Sequence, residues 1–150
     1  MPPSRIHPRH KWRGILRSFR KIKFREPFRP FAPSVLAEYA NEYFEGNTTN
    51  AFFMNQIFKV KPEKWSVIPA VTHEDKTSRI QMVTRDGNRR YYELIEAFHK
   101  MTGVPLVVNT SFNVKGEPIV DTPEEAVRCF LNTGIDMLVM GNLVSTKEKD

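Results

Sequence analysis

At 150 residues the chain is long enough for one domain with a real core and too short for two good ones. Hydrophobic residues at 40% and charged residues at 27% place it with ordinary globular proteins. No apolar run approaches the roughly 20 residues of a membrane span, and the single cysteine, Cys129, excludes an internal disulfide. A cytoplasmic protein with no membrane partner is expected.

The net charge of +6 is unevenly spread. Residues 1–29 hold ten Lys/Arg and one acid, Glu26, while the other 121 residues hold 13 Lys/Arg and 16 acids. The protein therefore has a basic front end rather than a basic surface. Such an end suits nucleic acid, an anionic surface, an anionic ligand or a poorly ordered tail. The acid-free, Arg-rich start has a faint transit-peptide character, which Pro2, Pro3 and Pro8 and a composition not rich in serine weaken.

In chain order, residues 1–20 read as a basic, weakly ordered segment with a short helix around Trp12 to Arg20. Pro27, Pro30 and Pro33 forbid regular structure across REPFRPFAP. Phe24, Phe28 and Phe31 would anchor that stretch and hold Lys23, Arg25 and Arg29 in place. Ser34 is expected to cap a helix with Val35, Leu36, Tyr39, Ala40, Tyr43 and Phe44 on one side, ended by Gly46. Phe52–Lys61 and Ser66–Thr72 read as strands, and Arg79–Thr84 alternates in the strand manner before the turn Asp86-Gly87-Asn88.

Tyr91–Met101 reads as a helix with Leu94, Ile95, Phe98 and Met101 on its core face and Gly103 as terminator. Val104–Asn109 is an apolar strand that stops at Asn109, Thr110, Ser111 and Asn113, and a Lys115-Gly116 turn follows. Thr122–Thr133 is a helix with a capping box (Thr122, Glu125) and Pro123 at its first position. Cys129 falls on its apolar side and reads as core packing rather than nucleophile. Met137–Met140 is a last strand before a polar tail. Helix and strand alternate in the later half, which predicts an α/β domain bordering on α+β, spanning residues 21–150.

Three groups of residues could carry chemistry. Lys23, Arg25 and Arg29 are either a solvated basic edge or a preorganised anion site. Asn109, Thr110, Ser111 and Asn113 lie beyond the carboxyl end of a strand, where ligands bind in open sheets, but the same residues also satisfy turns. Thr72, His73, Asp75, Arg79 and Gln81 form the third group. His73 and Asp75 lack the third and fourth ligands a zinc or iron site requires, and Arg79 is the better candidate to reach an anion. There is no P-loop, no G-x-G-x-x-G, no H-E-x-x-H and no G-x-S-x-G.

The segments IKFREPFRPFAPSVL, IPAVTHEDKTSRIQMV and TGVPLVVNTSFNVKGEPIVDTPEEAVRCF together resemble the C-terminal domain of nodulation-type and antibiotic-biosynthesis O-carbamoyltransferases. The resemblance runs from about Lys21 to Lys147. That domain is similar to the YrdC family, whose Lys-x-Arg and Ser-x-Asn signature would here be Lys23-Phe24-Arg25 and Ser111-Phe112-Asn113. The resemblance implies a twisted mixed sheet with flanking helices. It also implies a domain that makes carbamoyl adenylate from carbamoyl phosphate and ATP, with Mg²⁺, for transfer to a hydroxyl by a separate metal-containing domain.

By the same resemblance, Lys23 and Arg29 would bind phosphates with Arg25 in support. Arg79 would hold carbamoyl phosphate or the carbamoyl group. Asn109 and Ser111 would contact the carbamoyl or adenylate part, with Asn113 nearby. Two departures stand out. A Gly-Pro-Arg-Ala-Leu-Gly type segment has no counterpart in residues 1–20, and the usual Asp-Gly-Thr reads Asp75-Lys76-Thr77. The transferase domain is expected on a separate partner chain. The alternative reading is a non-catalytic remnant or an RNA- or nucleotide-binding module.

Overall fold

A computed structural model describes residues 31–114 and 116–147. Lys23, Arg25, Arg29, Lys115, the anchors Phe24 and Phe28, and the short helix expected around Trp12 to Arg20 lie outside the described residues. The described chain falls into two compact units, residues 31–110 and the residues from 111 onward. Helices and short sheets mix in both, and the fold class is α/β.

The first unit is built on a three-stranded sheet. Its centre is β1 (Ala32–Leu36), flanked by β4 (Gln81–Val83) and β5 (Leu106–Asn109). β1 runs parallel to β4 and antiparallel to β5, so the sheet is mixed. A two-stranded ladder of β2 (Phe58–Lys59) and β3 (Thr77–Ser78) completes the strands. Helix α1 (Ala40–Tyr43) is a single turn, preceded by a 3-10 turn over Ala37–Tyr39.

The expected helix from Ser34 is thus corrected. All five residues of β1 are buried. An apolar run buried on both faces satisfies its backbone by pairing on both edges, and this outweighs the helical spacing of Val35 and Leu36, while Ala37–Tyr43 is helical as expected. Pro33 is tolerated in this central strand because of register. The Leu36 N–H donates toward β5, to the Pro105 carbonyl at 3.0 Å. Alternation then turns the nitrogen of Pro33 toward β4, whose pairing starts only at Ser34↔Gln81. The missing donor falls beyond the end of the ladder.

Two other expected strands shrink. Phe52–Lys61 contributes only Phe58–Lys59, and Ser66–Thr72 is turn rather than strand. There the backbone is satisfied locally, by Val67 N–H and Ile68 N–H donating to the Lys64 carbonyl at 2.9 and 3.0 Å.

Helix α2 (Arg89–Thr102) forms as its caps dictate. The Asn88 side chain accepts from the Tyr91 N–H, and Gly103 closes the last turn at φ +75°. Ile95 is fully buried against Leu36 and Val83, with Tyr39, Tyr91, Tyr92 and Val107 around them. Leu94 and Met101, expected on the core face, are exposed. The sheet is only three strands wide, so the buried stripe of α2 is narrow.

The second unit holds α3 (Pro123–Leu131) and a hairpin of β6 (Met137–Met140) and β7 (Leu143–Thr146). α3 carries the expected capping box, with Thr122 accepting from the Glu125 N–H and the Glu125 carboxylate returning to the cap. Ala126, Phe130 and Leu138 form its core with Phe112, Val120, Ile135 and Met140, and Cys129 is buried. β7 was not expected; it pairs on β6 through a turn in which Gly141 takes φ +59°. Among the described residues no helix is long and apolar enough to cross a membrane.

Candidate functional site

The strand register assembles the site. Ser34 pairs with Gln81 on one side and Val107 on the other, and Asn109 pairs with Ala32. With a period of two, Ser34, Gln81, Val107 and Asn109 share one face of the sheet. Further along that face, Leu36, Val83 and Val107 pack under α2. The face is therefore apolar at one end and polar where β5 stops and β1 and β4 begin.

At the polar end three side chains close a triangle. The Asn109 Nδ2 donates to Ser34 Oγ at 3.0 Å and to Gln81 Oε1 at 2.7 Å. Ser34 Oγ in turn donates to Gln81 Oε1 at 2.8 Å. Ser34 is 0% exposed, while Gln81 and Asn109 are half-buried. Burial pushes the Tyr91 hydroxyl up from its ordinary pKa, against the opposing effect of a hydrogen bond with Ser34. No formal charge enters the triangle, which suits a neutral polar ligand group.

Beside it lies the loop from His73 to Arg79. The Asp75 carboxylate accepts from the Thr77 N–H at 3.0 Å and the Thr77 hydroxyl at 2.7 Å, which holds it below the usual carboxylate range. Thr77 Oγ1 also lies 3.2 Å from His73 Nδ1. Burial holds the His73 ring below its ordinary pKa; the Asp75 charge and a hydrogen bond with the Phe31 backbone oppose this, and the Arg79 charge adds to it. Arg79 is exposed, and its charge is felt at His73. Among the described residues no group of three His, Cys, Asp or Glu could hold a metal ion.

Lys76 sits at φ +64°, the left-handed region. This accounts for the glycine usual at that place, since a side chain there costs roughly 1–2 kcal/mol. Its ammonium lies 5.2 Å from the centre of the Trp65 ring, a cation–π contact that returns part of the strain.

Ser111 and Asn113 belong to the second unit. Ser111 Oγ donates to Asn113 Oδ1 at 2.7 Å, and Asn113 Nδ2 donates to the Glu117 carbonyl at 3.0 Å. The Val120 N–H closes the loop on the Phe112 carbonyl at 2.9 Å. Phe112 packs with the Phe130 core, so the Ser-x-Asn segment is held from both sides.

Of the residues singled out from sequence, Asn109 and Arg79 fall in the first unit and Ser111 and Asn113 in the second. Ser34 was expected only as a helix cap, and Gln81 stood in the third candidate group without a role of its own. A polar residue inside the alternating RIQMV was the one sequence signal for Gln81; the pairing with Ser34, 47 residues away, had none.

Comparison with known proteins matches the family described as Carbamoyltransferase C-terminus over residues 8–147. The chain is 50% identical over 128 residues to nodulation protein NolNO of Sinorhizobium fredii, covering 84% of this chain and 19% of that protein. It is 44% identical to nodulation protein NolO of Bradyrhizobium diazoefficiens, covering 84% and 23%. It is 42% identical to the uncharacterized protein MJ1051 of Methanocaldococcus jannaschii, covering 87% and 25%. The chain thus spans about a fifth to a quarter of the length of these relatives. With the family matched across nearly the whole chain, this protein belongs to the carbamoyltransferase family and represents its C-terminal domain.

Proposed function

We propose that this chain carries out the adenylation half of an O-carbamoyl transfer, binding MgATP and carbamoyl phosphate and forming carbamoyl adenylate. The observation that carries the reading is the uncharged Ser34–Gln81–Asn109 triangle at a sheet end, in a unit that also carries the exposed cation Arg79. The first suits the neutral carbamoyl group and the second the phosphate attached to it.

Overall, carbamoyl phosphate, ATP and water give carbamoyl adenylate, pyrophosphate and inorganic phosphate. Water cleaves the acyl-phosphate linkage of carbamoyl phosphate to carbamate and inorganic phosphate; a carbamate oxygen then becomes bonded to the α-phosphorus, and the bond to the β,γ-pyrophosphate breaks. Negative charge builds on phosphoryl oxygens, so cations held in place supply most of the stabilisation and no nucleophilic side chain is needed. Mg²⁺ enters with the nucleotide, bound chiefly by its phosphates. Lys23, Arg25 and Arg29 are proposed to bind phosphate, and Ser111 and Asn113 to contact the adenylate, on the family resemblance. Transfer to a hydroxyl would be completed by a separate transferase domain.

The test is pyrophosphate release by the purified chain given MgATP and carbamoyl phosphate. Release should depend on carbamoyl phosphate and fall on the order of 10²-fold in Arg79→Ala. Equal rates in Arg79→Ala, or release indifferent to carbamoyl phosphate, would reject the assignment. An RNA-binding module would instead lose nucleic-acid affinity steeply with salt and release no pyrophosphate.

A further inference from the structure

We infer that Ser34 and Gln81 are positioning residues that lock the Asn109 amide with both N–H donors turned into the sheet, leaving its Oδ1 as an acceptor for an N–H-bearing ligand group. An amide nitrogen has two hydrogens, and those of Asn109 go to Ser34 Oγ at 3.0 Å and Gln81 Oε1 at 2.7 Å. The donor capacity is spent, and Oδ1 has no hydrogen-bond partner among the described residues. The orientation is held from behind: Gln81 Oε1 accepts from both Ser34 and Asn109, so turning the Gln81 amide would set its own N–H groups against two donors.

All three residues stand on paired strands rather than loops, and Ser34 is 0% exposed in the central one. A polar group held this way discriminates by direction as well as by polarity. Resting on the adenylation reading, the inference names the group that Oδ1 recognises, the –NH₂ of the carbamoyl moiety. Acetyl phosphate, with a methyl in place of that –NH₂, matches it in size and would leave the acceptor unpaired. Asn109 would then act as a specificity-determining residue, with Ser34 and Gln81 acting through it.

The test has two arms. In the ligand-free protein, the Asn109 side-chain amide hydrogens are followed by ¹⁵N-resolved NMR. Both should be protected from solvent exchange, and one should lose protection in Gln81→Met. Free exchange of both in the unaltered protein would overturn the lock. In the second arm, carbamoyl phosphate and acetyl phosphate are titrated in the presence of MgATP. The unaltered chain should prefer carbamoyl phosphate by about tenfold, the value of one hydrogen bond. Gln81→Met and the milder Ser34→Ala should reduce the preference toward unity at unchanged ATP affinity. An intact preference in both variants overturns the inference while leaving the adenylation reading in place. Failure of the unaltered chain to bind either acyl phosphate or ATP overturns both.

Discussion

Replacing Gln81 by Met removes the hub of the polar triangle while keeping side-chain volume, so little cavity is made. What it leaves is a Ser34 Oγ–H without its 2.8 Å acceptor, which at 0% exposure can turn to the Tyr91 hydroxyl but not to water. Asn109 keeps its bond to Ser34 and loses the 2.7 Å bond to Gln81. A buried donor left unpaired costs about 1–3 kcal/mol. Ser34→Ala alone removes donor and need together, because Gln81 still accepts from Asn109, and should cost about 1 kcal/mol. The double variant should therefore cost less than the sum by about 1 kcal/mol, since Ser34→Ala removes the donor that Gln81→Met strips of its acceptor. Because the chain has two compact units, the readout should be local. Native-state hydrogen exchange at the Leu36 amide, bonded to Pro105 at 3.0 Å in the same sheet, reports opening of this unit. Strict additivity, with coupling below ~0.3 kcal/mol, would show that the three groups do not act as one network.

Four further outcomes are expected. Lys76→Gly should be more stable than Lys76→Ala by about 1 kcal/mol in urea unfolding, the reverse of the helical order, because residue 76 sits at φ +64°; equal stabilities would contradict the left-handed assignment. Ser78→Ala should be neutral or stabilising by up to about 1 kcal/mol, since Ser78 Oγ is buried without a hydrogen-bond partner among the described residues, and a loss above that range would mean the hydroxyl is bonded. Thr122→Ala should cost about 1 kcal/mol and raise exchange in the first turn of α3, because the cap and the Glu125 carboxylate work as a pair; unchanged exchange there would count against the box. His73 should confer a pH dependence of defined sign. Its folded pKa lies below 6.5, so its contribution is fully present above pH 6.5 and is lost as pH falls through the folded value, where the unfolded chain has already taken up a proton. Stability followed from pH 7 to 5 should fall less in His73→Gln, and an unchanged slope would remove His73 as the cause.

Residues with local signals were legible in the sequence. Helix α2 declares itself by Gly103, and α3 by Thr122, Pro123 and Glu125, because caps satisfy backbone groups within a few residues of the side chains that do so, while Asn88, read as a turn residue, is the N-cap of α2. β5 is visible as an apolar run that stops at Asn109, which marked that residue as a candidate. Within the expected helix, Ser34 to Leu36 are strand and Ala37–Tyr43 are helical; the spacing of the first three residues fits a helix as well as a buried strand, and only neighbours on both edges decide between them.

By itself, then, the sequence determined the family, the α/β class, the Gly103 stop of α2, the Thr122 start of α3 and the candidate status of Asn109 and Arg79, all carried by contiguous residues. Tertiary structure alone decided that Ser34 is a strand residue, that Gln81 faces it and that Asn109 is bonded to both. These facts depend on register between strands 47 and 75 residues apart along the chain. A register shift of one residue would turn each side chain to the other face, and no local propensity encodes that choice.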